Sequence, residues 1–205
     1  MTTLFLVRHG ETDWNRGGRI QGSVDIPLND EGRAQARDAA VRLRTMLEGR
    51  TPVVASSDLS RARESAQIIA REFDVDVAGP YPDLRERAYG RAEGMDVDEF
   101  RAQWGPWRSA EIPGAETWPQ LRHRALRGIR GAVRDARSRH APVDVPIVVV
   151  SHGALIREVI RHASGGERPH EDERLPNGSI VSILVERERL RVLSWADALA
   201  DPVAR

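Results

Sequence analysis

The chain has 205 residues, of which 40% are hydrophobic and 30% charged, with thirty-one arginines against thirty-one carboxylates and neither lysine nor cysteine. This composition suits one soluble domain with a sizeable core, and it excludes disulfide scaffolds, thiolate nucleophiles, cysteine-based zinc sites, Schiff-base lysines and Walker-type lysines. The charges are mixed along the chain, so no uniform positive field selects nucleic acid, and no apolar run approaches the ~20 residues that span a bilayer.

Leu4, Phe5, Leu6 and Val7 read as a strand. No basic segment, longer apolar stretch or small-residue cleavage site precedes it, which predicts a cytoplasmic protein. Gly10 permits a tight turn, placing Arg8 and His9 at the strand's carboxyl end, the edge of an open α/β sheet where ligands bind. Alone, the tripeptide reads as a solvated turn with one satisfied histidine, and its context must decide. Asn29 and Asp30 then open a helix with Ala36, Ala40, Leu43 and Leu47 on one face, and Gly49 offers a stop. "PVVASS" is a buried strand, followed by a helix whose apolar face is Ala62, Ala66, Ile69, Ala70 and Phe73. Arg61, near the start of that helix, reads by itself as an exposed first-turn side chain.

Residues 79–119 are irregular, broken by Pro80, Pro82, Pro106, Pro113 and Pro119, and only "DVDEFRAQW" looks helical. They form an excursion over the sheet, where Trp104, Trp107 and Trp118 either pack it onto the domain or wall a ligand. Trp118, Leu121, Ala125, Ile129, Val133 and Ala136 mark a long amphipathic helix whose arginines form the solvated face. "VPIVVV" is a central buried strand ending in "SHG", and "ALIREVIRHA" resumes helical periodicity, repeating the strand, histidine, glycine and turn of the opening. "SIVSILVE" and "LRVLSW" predict an antiparallel hairpin at the sheet edge. The expected fold is α/β: a three-layer α/β/α sandwich with a mostly parallel central sheet, the first two strands parallel, and an antiparallel edge strand. One domain over 1–205 carries the excursion at 79–119.

Two strands thus end in histidines, His9 and His152, with Arg61 at a helix start between them. Forked guanidinium donors, imidazoles and helix N–H groups together suit a tetrahedral dianion such as a phosphoryl group. Neutral imidazole is a good nucleophile near pH 7, and phosphoryl transfer needs positioning and charge stabilisation more than a metal.

The blocks "LVRHGETDWNRGGRIQGSVDIPLNDEGRAQA", "SSDLSRARESA", "LRERAYGRAEG" and "VVSHGALIR" occur in one order over most of the chain. Together they resemble the histidine phosphatase superfamily of phosphoglycerate mutases and related phosphatases. The resemblance implies His9 as nucleophile, Arg8, Arg61 and His152 as the phosphate pocket, and Glu86 as general acid. It further implies phosphate or substrate contacts from Asn15, the backbone around Gln21 and Gly22, and Gly153. Without it, Glu86 reads as an ordinary ion pair in "RER", and Glu11, Glu93 and Glu116 stand as other acids to consider.

The implied activity is metal-independent, cofactor-free hydrolysis of a small phosphorylated metabolite, with no nucleic-acid or membrane partner and a homodimer left open. A mutase, which returns the phosphate to another hydroxyl, generally has a longer insertion before the second histidine block, so the short excursion favours a phosphatase. A binding protein without turnover needs neither His9 nor Glu86. Many relatives have tryptophan at Ala92 and glycine at Ala115, so the middle segment leaves the leaving group open.

Overall fold

The computed structural model of the protein describes residues 1–170, 173–187 and 189–194. Among them, strands β1 (Thr2–Arg8), β2 (Val53–Ser56), β3 (Val77–Ala78), β4 (Ile147–Ser151), β5 (Ile180–Val185) and β6 (Leu190–Ser194) form one sheet in the order β3-β2-β4-β1-β5-β6. The helices are α1 (Asp13–Arg16), α2 (Asp30–Met46), α3 (Ser60–Glu72), α4 (Val97–Trp104), α5 (Trp118–His140) and α6 (Gly153–Ala163). No helix among the described residues is long and apolar enough to cross a membrane.

The valine-rich β4 is buried at every residue, as a central strand covered on both faces must be. It pairs in parallel with β1, from Leu4 opposite Ile147 to Arg8 opposite Ser151, and on its other side with β2. The first two strands therefore run parallel, as expected, but with β4 between them. Strands β5 and β6 form the expected hairpin, of which Trp195 lies outside the described residues. Strand β5 pairs antiparallel with β1, so the reversed strand lies one place in from the edge. The hairpin turn reverses the chain again, and β6 returns to the direction of β1. The two-residue β3, too short to carry a periodicity, borders β2 at the opposite edge.

Strand alternation sorts the core into two layers. Leu4, Leu6, Ile147 and Val149 face α5, α6 and the excursion, while Phe5, Val7, Val148 and Val150 face α2 and α3. The Asn29 side chain accepts from the Gly32 N–H at 2.8 Å and caps α2. Thr117 and Gln120 form a capping box on α5, with Pro119 in its first turn. One expectation for α5 fails in part. Arg124 turns inward from the arginine-rich face, because the irregular 83–86 backbone presents carbonyls that need a donor.

Candidate active site

Parallel pairing ends β1 and β4 in register, so the residues that follow them emerge side by side. The His9 N–H still donates to the Ser151 carbonyl at 3.0 Å, extending the ladder by one residue. The His9 and His152 rings then meet edge-on, with centroids 5.1 Å apart and planes at 61°. Gly10 is required by close approach: a Cβ there would lie 2.1 Å from the Gly32 carbonyl oxygen. His9 Nδ1 lies 2.6 Å from the Gly10 carbonyl oxygen, which only accepts, so Nδ1 carries the proton and Nε2 the lone pair.

His9 is 2% exposed and His152 fully buried, so the solvated-turn reading is excluded. Burial first, then the Arg61 charge, holds both imidazoles well below the ordinary histidine value, with Arg8 adding to the effect. Neither ring nitrogen of His152 has a protein partner.

Arg61 is 1% exposed, which corrects its reading as a first-turn surface residue. Its side chain folds back under the loop after α1 and donates to the carbonyls of Gly22 at 2.9 Å and Val24 at 2.8 Å. Burial lowers the Arg61 pKa, and Glu86 and Asp25 partly oppose this. Arg8 donates to the Leu175 carbonyl. Gly153 lies beside this guanidinium, since a Cβ there would stand 3.4 Å from Arg8 Nε, an ordinary contact. The Nε groups of both arginines are buried and unpartnered. Buried donors without partners are rare, and a cluster of them marks the seat of an anion.

Thr12 and Asn15 form a reciprocal cap on the single turn α1. Asn177 donates to Asn15 Oδ1 at 3.3 Å and to the His9 carbonyl at 2.9 Å, which ties that turn to the first histidine. Gly22 adopts a positive φ of 55°, and a Cβ there would strike Glu93 Oε1 at 2.1 Å.

Glu86 sits on the amino end of α6. Its carboxylate accepts from the N–H groups of Ala154 and Leu155, each at 3.1 Å, and of Arg87 at 3.0 Å. His152, the N-cap residue, makes no side-chain capping bond, so Glu86 supplies the cap from another part of the chain. Arg124 fixes the backbone beneath it, donating to the carbonyls of Asp83, Arg85 and Glu86 while pairing with Glu116. The other acids are engaged elsewhere. Glu11 holds Arg16 and Asn29, and Glu93 holds Ser23 and the Tyr89 N–H.

Arg8, His9, Asn15, Gln21, Gly22, Arg61 and Glu86 line one cleft of about 150 Å³, with His152 and Gly153 behind it. The same cleft is lined by Arg19, Ile20, Tyr89 and Val97, which sequence reasoning missed. Only the position of Tyr89, three residues after Glu86, hinted at it. Of the three tryptophans Trp107 lines the cleft. Trp104 packs on Phe100, and Trp118 lies under the guanidinium groups of Arg87 and Arg108. Among the described residues no group of three or more His, Asp or Glu side chains is arranged to hold a metal ion.

The family model of the histidine phosphatase superfamily (branch 1) matches residues 4–198. The chain is 33% identical over 195 residues to the uncharacterized phosphatase PhoE of Bacillus subtilis, covering 95% of this chain and 94% of that one. It is 31% identical over 209 residues to a metal-independent phosphoserine phosphatase of Arabidopsis thaliana, covering 96% and 82%. Among solved structures, a mycobacterial glucosyl-3-phosphoglycerate phosphatase in complex with VO3 superposes with a TM-score of 0.78 at 26% identity, covering 95% and 99%. Two strand-end histidines beside two buried arginines, in a chain matched along nearly its whole length, place this protein in the histidine phosphatase superfamily, branch 1, among its phosphatases and mutase-like enzymes.

Proposed function

We propose that the protein hydrolyses a small cytoplasmic phosphomonoester through a phosphohistidine on His9, without a metal ion. The observation that carries this reading is the Nδ1–H bond to the Gly10 carbonyl, which leaves the His9 Nε2 lone pair free within a cleft furnished with guanidinium donors. In the first step Nε2 attacks phosphorus in line as the ester P–O bond breaks, and protonated Glu86 gives its proton to the departing oxygen. Arg8, Arg61 and His152 meet the charge on the equatorial oxygens, while Asn15 and the backbone around Gln21 and Gly22 position them. In the second step the Glu86 carboxylate takes a proton from water as the water oxygen attacks phosphorus and the P–N bond breaks, its electron pair returning to Nε2. Orthophosphate leaves, and neutral His9 and protonated Glu86 are restored.

The test is a screen of small phosphomonoesters with acid-quenched trapping of the phosphoenzyme, run with and without EDTA and with phosphoglycerate mutase activity measured in parallel. Phosphate release through a trapped phosphohistidine, undiminished by EDTA, is the expected result. Loss of activity in EDTA, restored by a divalent ion, overturns the metal-free mechanism. Transfer to a second phosphoglycerate hydroxyl in preference to water replaces the phosphatase by a mutase.

A further inference from the structure

Glu158 of α6 takes no part in the chemistry above, yet its carboxylate is fully shielded from solvent and each of its oxygens holds a different arginine. Oε1 accepts from Arg122 Nε of α5 at 2.7 Å, and Oε2 accepts from Arg108 Nη1 at 3.1 Å. Removing a carboxylate from water is costly even with two partners, and a well-packed apolar side chain would serve stability as well. What the ion pair adds is a fixed connection between α6 and the excursion. Residues 105–112 contain neither strand nor helix, and the backbone N–H groups of Ser109 and Ala110 return to the nearby Pro106 carbonyl. Among the described residues, the bond from Arg108 to Glu158 is the one side-chain hydrogen bond from this segment to another part of the chain. The residue before Arg108 is Trp107, which lines the cleft, stacks on Phe100 at 4.1 Å and meets Tyr89 edge-on at 5.5 Å.

We infer that Glu158 is a positioning residue for substrate selection: through Arg108 it holds Trp107 as the wall against which the leaving group lies. The inference rests on the reading of the cleft as a phosphomonoester site. It names as favoured substrates those whose leaving group presents an apolar or planar face beside the phosphate. The tether runs to the helix whose amino end seats Glu86, so the leaving-group wall and the proton donor are built on one rigid element.

The test compares dissociation constants of methylphosphonate and 1-naphthylmethylphosphonate, neither of which can be hydrolysed, for the full chain and its variants. Arg108→Met and Glu158→Gln are expected to weaken the naphthyl ligand about fivefold while methylphosphonate changes less than about twofold, since only the aromatic contact is lost. Trp107→Ala should weaken the naphthyl ligand equally, and adding Arg108→Met to it should weaken it no further. Equal weakening of both ligands in Arg108→Met, or no change in either, overturns the inference. Should Glu158→Gln fail to fold, Arg108→Met, which leaves Glu158 paired with Arg122, still decides. A wild-type protein that binds neither phosphonate overturns the phosphomonoester reading itself.

Discussion

His9 and His152 are separated by most of the chain, yet their rings stand 5.1 Å apart at 61°, each at the carboxyl end of one of two neighbouring parallel strands. Burial of both rings, and after it the charges of Arg61 and Arg8 beside them, disfavours their protonation. A neutral pair facing unpartnered guanidinium nitrogens is arranged for an anion, with one imidazole free to act as a nucleophile and the other as a hydrogen-bonding partner.

That neutrality sets the pH dependence of stability. The folded-state values of His9 and His152 lie well below 6.5, so between those values and about 6.5 the unfolded chain binds more protons than the folded one. Stability therefore rises with pH across that window; it is complete above it and falls as the solution is acidified. Thermal midpoints recorded from about pH 7.5 down to pH 5 should decline, and a His9→Asn, His152→Asn double variant should decline less. A wild-type profile no steeper than that of the double variant contradicts the neutral pair.

Replacing His9 by Asn removes the proposed nucleophile, so no phosphoenzyme should be trapped and turnover should be lost. The fold should survive with a stability change within about 1 kcal/mol at neutral pH, because the lost ring is uncharged and makes one local hydrogen bond. Acid-quench trapping together with urea unfolding checks both statements. Wild-type phosphorylation of the variant would assign the nucleophile elsewhere.

Glu86→Gln keeps an amide oxygen to accept from Ala154 and Leu155, so the amino end of α6 stays capped while the transferable proton is lost. Phosphoenzyme formation from alkyl phosphates should slow by about 10²-fold or more, since their poor leaving groups depend on that proton. Aryl phosphates should suffer less in this step, and phosphohistidine should accumulate as activation of water becomes limiting. Rapid-quench measurements with one substrate of each kind separate the steps. Equal small losses in both would point away from Glu86.

Arg61→Lys tests shape as well as charge. A single ammonium cannot hold the Gly22 and Val24 carbonyls in the guanidinium geometry and also meet the phosphate, so kcat/KM should fall by about 10²–10³-fold. Alkyl and aryl substrates should lose equally, in contrast to Glu86→Gln. A loss that depends on the leaving group would mean that Arg61 does not act on the phosphoryl oxygens.

Element types, the three-layer α/β plan and the strand-end placement of His9 and His152 were legible in the sequence, because each follows from local periodicity and from glycine at a turn. The resemblance of four blocks added the family, which the match over residues 4–198 then established. What remained illegible depends on pairings between distant residues. The neighbourhood of the two histidines comes from parallel pairing of β1 with β4, and the burial of Arg61 from carbonyls at Gly22 and Val24 that no helical pattern announces. The resemblance singled out Glu86 from Glu11, Glu93 and Glu116, but the reason for it lies in the fold, which seats Glu86 on the amino end of α6 and in the cleft lining. Trp107 is set apart from Trp104 and Trp118 only by where the excursion folds back. Periodicity reports which apolar face of an element is buried, whereas a catalytic cleft depends on which polar and charged residues are buried together, and only long-range packing decides that.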